Sequence, residues 1–255
     1  MNATGTIWAY TLGSITIVSL VSLIGAVALS LGMDRIKKWL LLFVSFSAGT
    51  LLGDAFLHLL PEVTERTGSF SLQISFGVIA GILVWFIIEK FIQWHHCHHV
   101  HEFEKDHIHP FAILNLIGDF LHNIIDGMII AASFLVSIPV GIATTLAVVL
   151  HEIPQELSDF GVLLHGGFSK GRALFLNFLS ALGALLGAVF ALFLASQIEG
   201  IELLFIPFAA GSFIYIATAD LIPELHKESR VGESIKHLIS LLAGVVVMAL
   251  MLLIG

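Results

Sequence analysis

Charge is scarce in this sequence. Only 12% of its 255 residues are Asp, Glu, Lys or Arg and 57% are hydrophobic, whereas soluble domains carry about 25% charged residues. With a mean hydropathy of +0.99, an ordinary soluble domain is excluded. There is one cysteine, Cys97, which rules out an intramolecular disulfide framework. Basic residues number 11 against 19 acidic ones, for a formal charge of -8, a balance that argues against nucleic-acid binding. The first apolar run also lacks a basic leader and a small-residue cleavage site, so it reads as a retained helix rather than a signal peptide.

Long apolar runs are what the chain has instead. Helices of roughly 17 to 25 residues span the hydrocarbon of a bilayer, and eight such runs recur: Ile7 to Leu31, Trp39 to Leu60, Phe70 to Trp94, Phe111 to Val136, Ile138 to Leu164, Ala173 to Ala195, Leu203 to Ile222 and Leu238 to Ile254. The fold class is therefore all-α and integral to a membrane. Residues 1–255 form one transmembrane domain. Orientation follows from Lys and Arg, which favour cytoplasmic loops. With the N-terminus outside, Arg35, Lys37, Lys38, Lys90, Lys105, Lys170, Arg172, Lys227, Arg230 and Lys236 all lie inside, and only Arg66 lies outside. Both termini are then extracytoplasmic, in the cell membrane.

Spans 2 and 7 echo each other. FSAGTLLGDAFLHLLPE at 46–62 aligns without a gap on FAAGSFIYIATADLIPE at 208–224, pairing Phe46 with Phe208, Gly49 with Gly211, Pro61 with Pro223 and Glu62 with Glu224. The two spans run in opposite directions. This suggests an inverted repeat of spans 1–3 and 6–8 around spans 4 and 5, a 3+2+3 arrangement suited to alternating access with substrate held near the midplane. Asp54 and His58 would then stand near the outer mouth, and Asp220 and Glu224 near the inner one, with interfacial anchoring as the plainer alternative for all four.

The centre of the chain carries the chemistry. In span 4, Asn115, Asp119, His122, Asn123 and Asp126 fall within about 100° of helical arc. In span 5, His151, Glu152, Gln155, Glu156 and Asp159 fall within about 140°. The short linker before Pro139 makes the two spans antiparallel neighbours and brings His122 and His151 to comparable depth near mid-membrane. An ionised Asp at that depth costs about 2.5 to 3.5 kcal/mol. No Lys or Arg lies in a span core to offset it. Protons or a bound cation must supply the positive charge, and imidazoles beside carboxylates suit a divalent transition metal. The i, i+4 pairs His122/Asp126 and His151/Gln155 aim two ligands per helix at one point. Asn123 and Glu152 lie about 100° further round, placed to bind a second ion or to orient the imidazoles. Asn115, Asp119, Glu156 and Asp159 point toward the cytoplasm, as an exit path or a hydrated inner vestibule. Pro154 deprives the carbonyl of Leu150 of its helical donor, freeing it for a cation or water and kinking the helix. Gly183 and Gly187 in span 6 fit close helix packing.

Between spans 3 and 4 the sequence reads HHCHHVHEFEKDHIHP. His95, His96, Cys97, His98, His99, His101, His107 and His109 make a metal-binding composition without the spacing of a folded zinc module. A cytoplasmic sink or sensor for exiting metal is the functional reading, and a passive buffer the bland one.

HNIIDG at 122–127, HEIPQELSDFGVLLHGG at 151–167, GDAFLHLLPE in span 2, eight spans and a histidine-rich loop together resemble the ZIP family of zinc and iron permeases, in a compact prokaryotic-type form of the branch with HEIPHE on span 5. The resemblance implies metal uptake toward the cytoplasm through His122, Asn123, Asp126, His151, Glu152 and Gln155. It also implies a homodimer and an elevator-like movement of one helix group against another. Zn2+ is the expected transported substrate, with Fe2+, Mn2+ or Cd2+ as alternatives, and no catalytic cofactor is called for. Gln155 stands where that branch has a second histidine, which bears on metal preference and on a two-metal centre, and span 6 offers only Asn177 and Ser180 where some relatives place a carboxylate. Two other classes compete. HEIPQ begins like the HExxH of a metalloprotease but has Gln155 at the fifth position and Pro154 inside the helix, and a metal sensor would bind without transport.

Overall fold

The computed structural model describes residues 3–31, 33–96, 108, 110–198 and 200–253. Among them there is no strand, and eight helices are long and apolar enough to cross a membrane: α1 Gly5–Val27, α2 Leu40–Thr67, α3 Leu72–Lys90, α4 Ala112–Val136, α5 Ile138–His165, α6 Lys170–Gln197, α7 Glu202–His226 and α8 Val231–Met251. The protein is thus an integral membrane protein of eight spans. Exposed Leu, Ile and Phe side chains, such as Phe76, Phe86, Phe193 and Leu242, cover the outer surfaces of α3, α6 and α8, as lipid contact requires. Several bounds differ from those expected. The α2 helix runs on to Thr67, past Pro61, because proline is tolerated in the first turn of the helical segment that restarts at Leu60. The sixth span is broken at Leu182 into Lys170–Ala181 and Gly183–Gln197.

Packing divides between an α2·α8 pair, an α3·α7 pair and a group in which α4 packs on α6 and α5, with α1 against α5. The close approaches rest on glycine. A Cβ on Gly187 would sit 1.8 Å from the carbonyl oxygen of Ile124, and one on Gly127 would sit 1.9 Å from that of Ala184, so α4 and α6 touch backbone to backbone, as the glycines of the sixth span suggested.

The contacts of the aligned segments are matched pair by pair. A Cβ on Gly244 of α8 would meet Phe46 O at 2.3 Å and Thr50 N at 2.9 Å; one on Gly81 of α3 would meet Phe208 O at 2.2 Å and Ser212 N at 2.8 Å. Phe46 aligns with Phe208 and Thr50 with Ser212. Each segment also carries one π-helical stretch, Asp54–Leu59 in α2 and Ile216–Leu221 in α7. The cause is local. Pro61 and Pro223 have no N–H for the carbonyl one turn back, and the helix widens just before each, with Leu60 N–H bonding Ala55 O and Ile222 N–H bonding Ala217 O. Such wide turns often mark functional sites.

One residue, Ser137, joins α4 to α5. Its hydroxyl accepts from Val140 N at 3.3 Å and caps α5, and Pro139 occupies the first turn, where a missing N–H costs nothing. So short a turn makes α4 and α5 antiparallel neighbours, and their packing brings the two polar faces together.

Candidate metal centre

His122 and Asp126 come from successive turns of α4, and His151 and Glu152 from adjacent positions of α5. All four are buried, and one donor atom from each lies within 4.8 Å of the other three. His122 Nε2 is 3.2 Å from His151 Nε2, 3.5 Å from Asp126 Oδ2 and 3.5 Å from Glu152 Oε1. His151 Nε2 is 3.1 Å from Asp126 Oδ2 and 3.8 Å from Glu152 Oε1. A tetrahedral zinc site with bonds of about 2.0 to 2.1 Å has edges of about 3.3 to 3.4 Å. These five edges, among two nitrogens and two oxygens, bracket those of a zinc tetrahedron, and the sixth, between the two carboxylates, is within 4.8 Å.

The donors are also oriented and unspent. His151 Nδ1 lies 3.1 Å from Ala147 O; donating there places the proton on Nδ1 and leaves the Nε2 lone pair facing the centre, as outer hydrogen bonds do for metal-bound histidines. Both oxygens of Asp126 and both of Glu152 are buried without a hydrogen-bond partner. Unpaired buried carboxylates inside a bilayer are expensive, and a divalent cation at the centre would offset that cost.

The other expected residues are placed nearby but outside this set. The Asn123 amide donates to Asp119, at 2.9 Å to Oδ1 and 3.0 Å to the backbone oxygen, so it faces back along α4. Asn115 donates to Asp159 Oδ1 at 2.9 Å, and Asn177 of α6 donates to Glu156 Oε2. Each of these acids is thus held by one asparagine amide, which satisfies an oxygen without cancelling charge. Gln155 lines a cavity of about 670 Å³ with His122, Trp85, Asn115, Asp119, Asp159, Glu89, Asp220, Glu224 and Lys227. The cavity leads from the foot of the centre to the end of α7. Glu89, which accepts from the Tyr215 hydroxyl, was not anticipated there; a glutamate at the apolar end of a span carries no positional signal beyond interfacial anchoring.

On the opposite side, Asp54 and His58 are buried in helix packing. Thr144 Oγ1 donates to Asp54 Oδ2 at 2.8 Å, and His58 Nε2 lies 2.9 Å from Met248 O. Arg66 donates to Val136 O at 2.5 Å, tying the end of α2 to the end of α4. The carbonyl of Leu150, freed by Pro154, is not left for a cation: Ser47 Oγ of α2 lies 2.5 Å from it, and α5 continues as helix through the proline. In the histidine-rich loop, the helix of the third span ends at His96. The side chains of His95 and His96, and all of Cys97, His98, His99, His101, His107 and His109, lie outside the described residues.

Comparison with known proteins agrees with this architecture. The sequence profile described as "ZIP Zinc transporter" matches residues 6–110 and 93–252. Among curated relatives, "Zinc transporter ZIP13" of Pongo abelii is 39% identical over 220 residues, covering 81% of this chain and 65% of that protein. "Zinc transporter zipt-7.1" of Caenorhabditis briggsae is 34% identical, covering 81% and 69%. "Zinc transporter SLC39A7" of Canis lupus familiaris is 29% identical, covering 97% and 71%. The chain spans about two thirds of the length of the curated relatives it matches.

Proposed function

The chain belongs to the ZIP zinc transporter family, and from that premise we propose that it carries Zn2+ into the cytoplasm through the centre of His122, Asp126, His151 and Glu152. The observation that carries this reading is the close set of four buried donors whose carboxylates have no other partner. The relatives named as zinc transporters support zinc as cargo; Fe2+, Mn2+ and Cd2+ share enough ligand chemistry to compete. The reading needs no catalytic step. A divalent ion moving inward across 100 mV gains about 4.6 kcal/mol.

The basic residues orient the chain in the cell membrane with both termini extracytoplasmic. In that orientation the cavity opens inward, and Asp119, Asp159, Asp220 and Glu224 on its wall form the release path. Asp54 and His58 guard the closed outer side. The matched glycine contacts and paired π-helical turns favour an inverted repeat of α1–α3 and α6–α8 about α4 and α5, within one domain. The assembly is a homodimer.

Proteoliposomes test the core of this. Wild type is expected to admit labelled zinc down an inside-negative potential, and His151→Ala to lose that flux while remaining folded. Unchanged flux in His151→Ala would remove the centre from the pathway. Cleavage of peptides without flux would instead favour a protease, and zinc binding without flux a sensor.

A further inference from the structure

The two histidines of the centre are held in different ways. His151 is tethered within its own helix through Nδ1 and Ala147 O. For His122, the polar contacts among the described residues all run through Nε2, toward the centre. Packed against its ring is Trp85 of α3. The ring centroids are 4.4 Å apart and the planes are inclined by 64°, an edge-to-face arrangement of the kind aromatic pairs favour. Trp85 is only 5% exposed, and its Nε1 is buried without a hydrogen-bond partner. A tryptophan kept in a wall with its N–H unsatisfied is retained for its shape and face rather than for a hydrogen bond.

We propose that Trp85 is a positioning residue for the metal centre: its indole holds the His122 imidazole in the rotamer that aims Nε2 at the other three donors. The inference rests on the reading of His122, Asp126, His151 and Glu152 as the zinc site. It adds a member from a third helix. Because Trp85 belongs to α3 and His122 to α4, a relative shift of these helices withdraws the brace from His122, whereas the tether of His151 travels with α5. The affinity of the centre then depends on how the α3·α7 pair lies against α4.

The test is a double-mutant cycle on the full chain in nanodiscs, read as Zn2+ affinity by competition with a chelating dye. Losses of outer partners of metal-bound histidines cost about 10- to 100-fold in affinity, so Trp85→Ala is expected to weaken zinc binding by that factor. Trp85→Phe keeps the aromatic face and is expected to stay within about threefold of wild type. In a His122→Ala background, where there is no imidazole to position, Trp85→Ala is expected to cost nothing further, which separates positioning from a general loss of packing. Equal zinc affinity in wild type and Trp85→Ala, or the same loss with and without His122, overturns the inference while leaving the centre standing. Absence of zinc binding by wild type overturns the centre and the inference together.

Discussion

Replacing Ser47 by alanine removes the hydroxyl that faces a carbonyl whose donor a proline has taken away; its one proton is shared between Leu150 O at 2.5 Å and Phe43 O of its own helix at 2.8 Å. Pro154 leaves Leu150 O without its helical donor, and Ser47 Oγ, 2.5 Å away on α2, takes that place. Within lipid no bulk water can substitute. A half-buried carbonyl left without a partner costs up to about 1 to 3 kcal/mol, and a chain of this length loses about 2 to 4 °C of melting temperature per kcal/mol. Ser47→Ala is therefore expected to lower the apparent melting temperature in detergent by roughly 2 to 12 °C. The control is Pro154→Ala, which restores an N–H to Leu150 O. In that background Ser47→Ala is expected to cost much less, since the carbonyl is already satisfied. Equal losses in both backgrounds, read by thermal unfolding of the four purified variants, would refute the reasoning.

Other expectations follow from the same geometry. Asp126→Asn and Glu152→Gln each remove a charged donor from the centre, and each is expected to weaken zinc binding by more than the 10- to 100-fold typical of outer-partner losses, measured by chelator competition. Gly187→Ala drives a Cβ to 1.8 Å from Ile124 O; α4 and α6 must separate, and a loss of about 1 to 3 kcal/mol or more should appear as poor yield of monodisperse protein. Thr144→Val leaves Asp54 buried without its donor, and is expected to destabilise the fold by about 1 to 3 kcal/mol, whereas Thr144→Ser should be nearly neutral by the same unfolding assay.

Much of this protein is legible in its amino-acid sequence. Eight apolar runs gave eight spans because a bilayer imposes one length on every crossing helix. The meeting of His122 and Asp126 with His151 followed from helical periodicity and a short turn, but the fourth donor did not: the i, i+4 rule pointed to Gln155, whereas Glu152 joins the set and Gln155 lines the cavity below it. What stayed hidden depends on which side of one apolar helix meets another. Trp85 sits among Leu, Val, Ile and Phe in a span with no polar stripe, so nothing in the third span marks it as the neighbour of His122. Ser47 and Thr144 are small hydroxyls that serve equally well as bonds to their own helix, and only the α2·α5 crossing reveals them as partners of Leu150 and Asp54. The π-helical turns before Pro61 and Pro223 answer a missing N–H that a sequence shows but whose remedy, a kink, a break or a widened turn, it does not. The same ambiguity produced the expectation of a freed Leu150 carbonyl, which the structure satisfies with protein rather than with an ion.

Zinc-edge X-ray absorption on the loaded protein, with Cys97 and the histidines of the 95–109 loop replaced so that only the membrane centre holds metal, tests the central claim most directly. The expected spectrum is that of a four-coordinate ion with two imidazole nitrogens and two carboxylate oxygens at about 2.0 to 2.2 Å, losing one imidazole shell in His151→Ala. An ion surrounded by six oxygens, or a spectrum unchanged by His151→Ala, would contradict it.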